Sequence, residues 1–127
     1  FLLVLVRLGW RVKHIPPALP ASMPKLMQLA AHAGHLALYG LMLAIPLSGW
    51  LMSSAKGFQT VWFGILPIPD LLDKNKELGN LLQTVHQGLN LLFVATLIGH
   101  IGAALKHHYI DKDDILTRML PQHSKEN

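Results

Sequence analysis

Charge falls along this chain in blocks. No Asp, Glu, Lys or Arg lies in residues 26–55 or 78–105, runs of 30 and 28 residues. A helix needs about 20 apolar residues to cross a bilayer, so each run predicts a membrane span that is tilted or has protruding ends. A third apolar piece, "FLLVLV", opens the chain and gives way to Arg7, Trp10, Arg11 and Lys13. It reads as the tail of an earlier span leaving the membrane. The expected helices are 1–12, 26–55 and 79–108, with 109–127 as a polar tail. Between the first two, "HIPPALPASMP" (14–24) is too rich in proline to stay helical. Between the second and third, the 56–77 connector carries Phe58, Trp62 and Phe63, and aromatics of this kind favour the lipid–water boundary.

Composition agrees with that pattern. Hydrophobic residues make up 51% of the chain and charged residues 14%, against about 25% charged in typical soluble domains. The fold class is therefore all-α integral membrane. There is no cysteine, which excludes disulfides, thiolate catalysis and Cys-ligated iron–sulfur clusters. The net charge of +4 fits a cytoplasmic membrane face better than a nucleic-acid surface. Segment 7–25 holds four cations (Arg7, Arg11, Lys13, Lys25) and no acid, whereas 56–77 balances three lysines with three acids. The last span and tail add Lys106, Lys112, Arg118 and Lys125. The positive-inside rule then puts the first loop and the C-terminus in the cytoplasm and the 56–77 loop outside. The opening residues do not form a signal peptide, because the basic residues follow the apolar run. A chain that starts inside an apolar helix without Met is expected to be a fragment.

Eight histidines stand out against this background. Imidazoles in hydrocarbon are costly and usually functional. His86 and His100 are 14 residues apart, so they lie about 21 Å apart along a helix axis and only about 40° apart around it. That separation is too great for one metal ion and suits two stacked cofactors. Neutral imidazole is a standard axial ligand of haem iron. Gly88, Gly99, Gly102, Ala103 and Ala104 nearby would let a flat macrocycle, or another helix, approach the backbone. The other long span offers His32 and His35 near its cytoplasmic start, but nothing at the depth of His86. Second axial ligands are therefore expected from elsewhere. The plainer alternatives are packing histidines bonded to carbonyls, and solvated ones at His14, His107, His108 and His123. Zinc needs three or four ligands, and neither span contains Cys, Asp or Glu. Pro46 should kink its span, with Ser48 and Gly49 packing or making room beside it. Met27, Met42 and Met52 read as filler. Ser53 and Ser54 have no acid nearby in sequence, so a hydrolase reading has no support.

Four stretches together resemble the bacterial di-haem cytochrome b561 proteins of the inner membrane. They are "VRLGWRVKHIPPALP", "AAHAGHLALYGLMLAIPLSGWLMSSAKG", "WFGILP" and "VHQGLN…GHIGAALKHHYIDKDDILTRMLP". The resemblance implies a four-helix transmembrane haem bundle, here without its first helix and most of its second. It implies two b haems and electron transfer linked to the quinone pool. One family activity is oxidation of superoxide with reduction of ubiquinone. By position, His86 and His100 match the axial ligands on the last helix. His35 and His108 are then candidates for a quinone and proton site, followed by His32 and His107. His32, His35 and Arg7 are candidate haem contacts, Arg7 through a propionate. Lys56, Lys74 and Lys76 could steer a small anion such as superoxide, although three acids in the same loop blunt their field. A partner subunit or homodimer fits an alternative in which the protein is a haem-binding anchor passing electrons for a dehydrogenase or hydrogenase. A third reading is a non-redox helical membrane protein.

Overall fold

The computed structural model describes residues 1–16 and 18–112. Arg118, His123 and Lys125 lie outside the described residues. In chain order the elements are α1 (Leu2–Lys13), α2 (Lys25–Lys56), β1 (Thr60–Trp62), β2 (Leu66–Ile68) and α3 (Lys76–Tyr109). With 32 and 34 residues, α2 and α3 are about 48 and 51 Å long. Both are long and apolar enough to cross a membrane. Of their most apolar windows, only 11% and 0% is buried within the chain. A core helix of a soluble protein would be mostly covered, so these surfaces face lipid or other helices.

The ends of the helices follow from local chemistry. Gly57 closes α2 in the left-handed region (φ 76), the conformation glycine supplies without a Cβ penalty. Asn75 caps α3 by accepting from the Leu78 amide at 3.1 Å, with Glu77 in the first turn and Lys106, His107 and His108 in the last. Both charge placements suit the helix dipole. At the end of α1, Arg11 and Lys13 lie in the last turn and His14 is extended, and two prolines follow shortly after.

Helices α2 and α3 pack as an antiparallel hairpin along a seam of small residues. Leu41, Ser48 and Ala55, seven residues apart, are buried on α2. Gly79 is the buried residue of α3. A Cβ at Gly79 would meet Lys56 Cγ at 2.8 Å and the Ala55 carbonyl carbon at 3.5 Å. Seven residues down α2 from Ala55 is Ser48, and seven residues up α3 from Gly79 is His86, its partner at 2.8 Å. Further along the seam, two repeats up α3 from His86 and one residue short of two repeats down α2 from Ser48, His100 and His35 meet with ring centroids 5.2 Å apart. A seven-residue repeat keeps one face of a helix on its neighbour. His86 and His100 therefore lie on the side of α3 that meets α2, two repeats apart.

The connector from α2 to α3 contains a β-hairpin, a departure from a purely helical chain. Strands β1 and β2 pair antiparallel, with Trp62 opposite Leu66. Phe63 (φ 52) and Gly64 (φ 69) are both left-handed, as a type I′ turn requires. Each strand has three residues, too few for alternation to show in the sequence.

Ser54, fully buried, ties the connector to α2. Its hydroxyl donates to the Trp50 carbonyl at 2.9 Å and accepts from the Leu71 amide at 3.1 Å. Trp50 Nε1 donates to the Pro69 carbonyl, and the Asn75 amide donates to the Ala55 carbonyl. Ser54→Ala leaves the Leu71 N–H without an acceptor, which costs about 1–3 kcal/mol. The expected results are a lower unfolding midpoint and faster hydrogen exchange at Leu71, with the helices intact. Exchange at the wild-type rate would show the bond to be dispensable.

Candidate functional site

His86 projects from α3 onto α2. Its Nδ1 is 2.8 Å from Ser48 Oγ, and that hydroxyl donates to the Ile45 carbonyl at 2.8 Å. Gly49 lies against the ring. A Cβ there would sit 3.2 Å from Cε1, 3.7 Å from Nδ1 and 3.8 Å from Nε2. The His86 carbonyl accepts from Asn90 Nδ2 at 2.7 Å, four residues along α3. Among the described residues, no hydrogen bond engages Nε2.

A groove of about 450 Å³ opens beside this ring, with Phe1, Pro46, Gly49, Trp50, Trp62 and His86 in its wall. That volume lies within the usual range of about 300–1,000 Å³ for a ligand pocket. Thr60 also lines the groove, and its hydroxyl is buried with no protein partner. Pro46, Ser48 and Gly49 are thus part of the surroundings of His86, and the β-hairpin supplies Thr60 and Trp62. The sequence alone gave Thr60 no role, because nothing in its local pattern says that a loop hydroxyl folds back onto the helix.

His100 is half-buried and meets His35 edge-on, with 64° between the ring planes. A Cβ at Gly99 or Gly102 would touch nothing within 4 Å, so the backbone beside His100 is open to a flat group. His32, a turn from His35, is exposed and is not brought into this pair. Nearby, Arg11 lies over the Tyr39 ring at 5.1 Å, and both Arg7 and Arg11 reach that side chain. Arg7 is thereby held beside α2 at the end of the hairpin that carries His35 and His100.

The remaining candidates divide among three places. His107 Nδ1 pairs with Asp111 at 2.8 Å. His108 packs edge-on against Tyr109 at 4.8 Å, and its Nδ1 is buried without a protein partner. His14 is exposed, stacks on Trp10 at 3.9 Å and donates from Nδ1 to the Trp10 carbonyl. At the opposite end of the hairpin, Lys56, Lys74 and Lys76 line one recess of about 420 Å³ with Phe58, Asn75 and Asn80. Lys56 also donates to Gln83 Oε1. Among the described residues no cluster of three His, Cys, Asp or Glu could hold a bare metal ion. The imidazoles come singly or in pairs, a donor set suited to axial ligation of a macrocycle rather than to a structural metal.

Two helices long and apolar enough to cross a membrane, with histidines at two points along their shared seam, describe a candidate integral membrane protein. Comparison with known proteins makes the class specific. The sequence pattern of the prokaryotic cytochrome b561 family matches residues 1–122, and the chain belongs to that family. It is 40% identical over 123 residues to "Cytochrome b561 homolog 2" of Escherichia coli (strain K12), covering 97% of this chain and 65% of the relative. It is 34% identical over 107 residues to "Probable superoxide oxidase CybB" of Yersinia pestis, covering 84% and 60%. With "Cytochrome b561 homolog 1" of E. coli the identity is 31% over 124 residues, covering 96% and 69%. The chain thus spans roughly two-thirds of the length of these relatives. Family members are integral membrane electron-transfer proteins, and membership implies b-type haem.

Proposed function

We propose that this chain forms the histidine-bearing hairpin of a di-haem b-type cytochrome. The protein carries electrons across the bacterial inner membrane between a one-electron donor and the quinone pool. The observation that carries the reading is the seam. His86 and His100 both face α2, two repeats apart, so two iron ligands sit at two depths on one rigid element. The residues around His86 fit a haem. Nε2 is unengaged, Gly49 leaves space that a Cβ would fill, and the adjoining groove contains an orphan hydroxyl at Thr60. Around His100, the bare flanks of Gly99 and Gly102 provide the matching access.

Haem held at these stations supplies one-electron redox chemistry. This chain's own residues hold it and handle protons and charge. His86 and His100 would hold the haem iron, each through a ring nitrogen. Arg7 and Arg11 form a cationic site beside Tyr39 that suits a propionate. His35 and His108 are assigned to a quinone and proton site at the cytoplasmic end. The unpartnered Nδ1 of His108 supports its assignment. Four cations and no acid in 7–25 orient that end inward.

The similarity to a probable superoxide oxidase makes superoxide the first donor to test. At the outer end, Lys56, Lys74 and Lys76 share a recess that no acid lines, and their field would favour arrival of a small anion. The whole protein, purified in detergent, is expected to reduce ubiquinone when superoxide is generated enzymatically, at a rate that falls as salt rises. Full haem loading with no quinol formed would exclude superoxide as donor.

A further inference from the structure

We propose that Ser48 is a positioning residue: its hydroxyl fixes the protonated nitrogen of His86 at Nδ1 and so presents a bare Nε2 to the groove. This rests on the reading of His86 as a haem ligand. A serine hydroxyl has one proton to donate, and Ser48 gives it to the Ile45 carbonyl at 2.8 Å. The oxygen that meets His86 Nδ1 at 2.8 Å therefore offers a lone pair, and Nδ1–H is the donor. In a neutral imidazole the other nitrogen is then unprotonated, which is the form that binds a metal.

The surroundings hold this arrangement. Ser48 is 7% exposed, so water does not compete for its hydroxyl. The bond to Ile45 lies within α2, three residues back, so the acceptor is fixed to the helix. A Cβ at Gly49 would sit 3.2 Å from Cε1 and press on the ring, so glycine at 49 lets the imidazole keep this position. An outer acceptor of this kind orients a ligating histidine and makes it a stronger base. His100 has a different neighbour, the edge of the His35 ring. The two stations therefore differ in what stands behind the ligand, and a change at Ser48 acts on one of them alone.

The test uses the whole protein loaded with haem, in wild-type, Ser48→Ala, Ser48→Thr and His86→Ala forms. Haem transfer to excess apomyoglobin and an equilibrium redox titration are the readouts. Ser48→Ala is expected to bind two haems, release one of them about 10- to 100-fold faster, and show an upward shift in the midpoint of that haem only. Ser48→Thr keeps the hydroxyl and is expected to behave as wild type. If Ser48→Ala releases both haems at the wild-type rate with unshifted midpoints while His86→Ala loses a haem, the role of Ser48 is overturned and the ligand assignment stands. Equal acceleration of both haems would reveal general loosening and would also overturn it. If His86→Ala itself keeps two haems, the underlying assignment fails.

Discussion

His86→Ala in the whole protein is expected to remove one of the two b haems proposed for it and to leave the other. The side chain sits on the α2–α3 seam, and its space is defined by Ser48 and Gly49 on the neighbouring helix. Alanine at 86 leaves a gap there, and among the described residues no other imidazole is positioned to fill it. His100 is two repeats away, about 21 Å along the axis, and His35 is beside His100. The α-band of the reduced-minus-oxidised spectrum should fall to about half, with helical content by far-UV circular dichroism unchanged. Electron delivery from the outer donor should fall to background, because the remaining station lies deeper. Loss of both haems would mean that the two stations fold as one unit. Retention of both would place the ligand elsewhere.

His100→Ala is expected to remove the other haem, and the contrast with His35→Ala makes this test informative. The two rings are 5.2 Å apart, so either could be suspected of ligating iron. His100 shares the α3 face of His86, 14 residues along the helix, and on that ground it is the ring proposed as the ligand. His35→Ala should therefore retain two haems. Its effect should appear in quinone reduction, lowered roughly a hundredfold, at the low end of what a positioned acid–base group contributes. A haem lost from His35→Ala and kept by His100→Ala would reverse the two assignments.

Much of this arrangement is legible in the sequence, for identifiable reasons. Long charge-free runs announce α2 and α3 because burying a charge in lipid is costly. The caps at Gly57 and Asn75 emerge from the structure, where a left-handed glycine and a side-chain acceptor end the helices. The 14-residue spacing of His86 and His100 already implies a shared face. What sequence alone left open is where that face points. Pairing with α2 is a tertiary fact, visible once Ala55 meets Gly79 and Ser48 meets His86. The same holds for Ser54, a residue with no sequence motif that anchors the connector through Leu71. Thr60 enters the groove only because the 60–68 hairpin folds back over α2, and strands of three residues are too short to announce themselves. His32 and His35 look equivalent as a pair three residues apart, yet only His35 reaches His100.

The central claim is that α3 carries one iron ligand at each of two depths. The most direct measurement is the haem count per polypeptide, by pyridine haemochrome against amino-acid analysis. The set compared is wild type, His86→Ala, His100→Ala and the double variant, each purified as whole protein. The expected counts are two, one, one and none. Two haems in either single variant, or any stoichiometric haem in the double variant, would contradict the account.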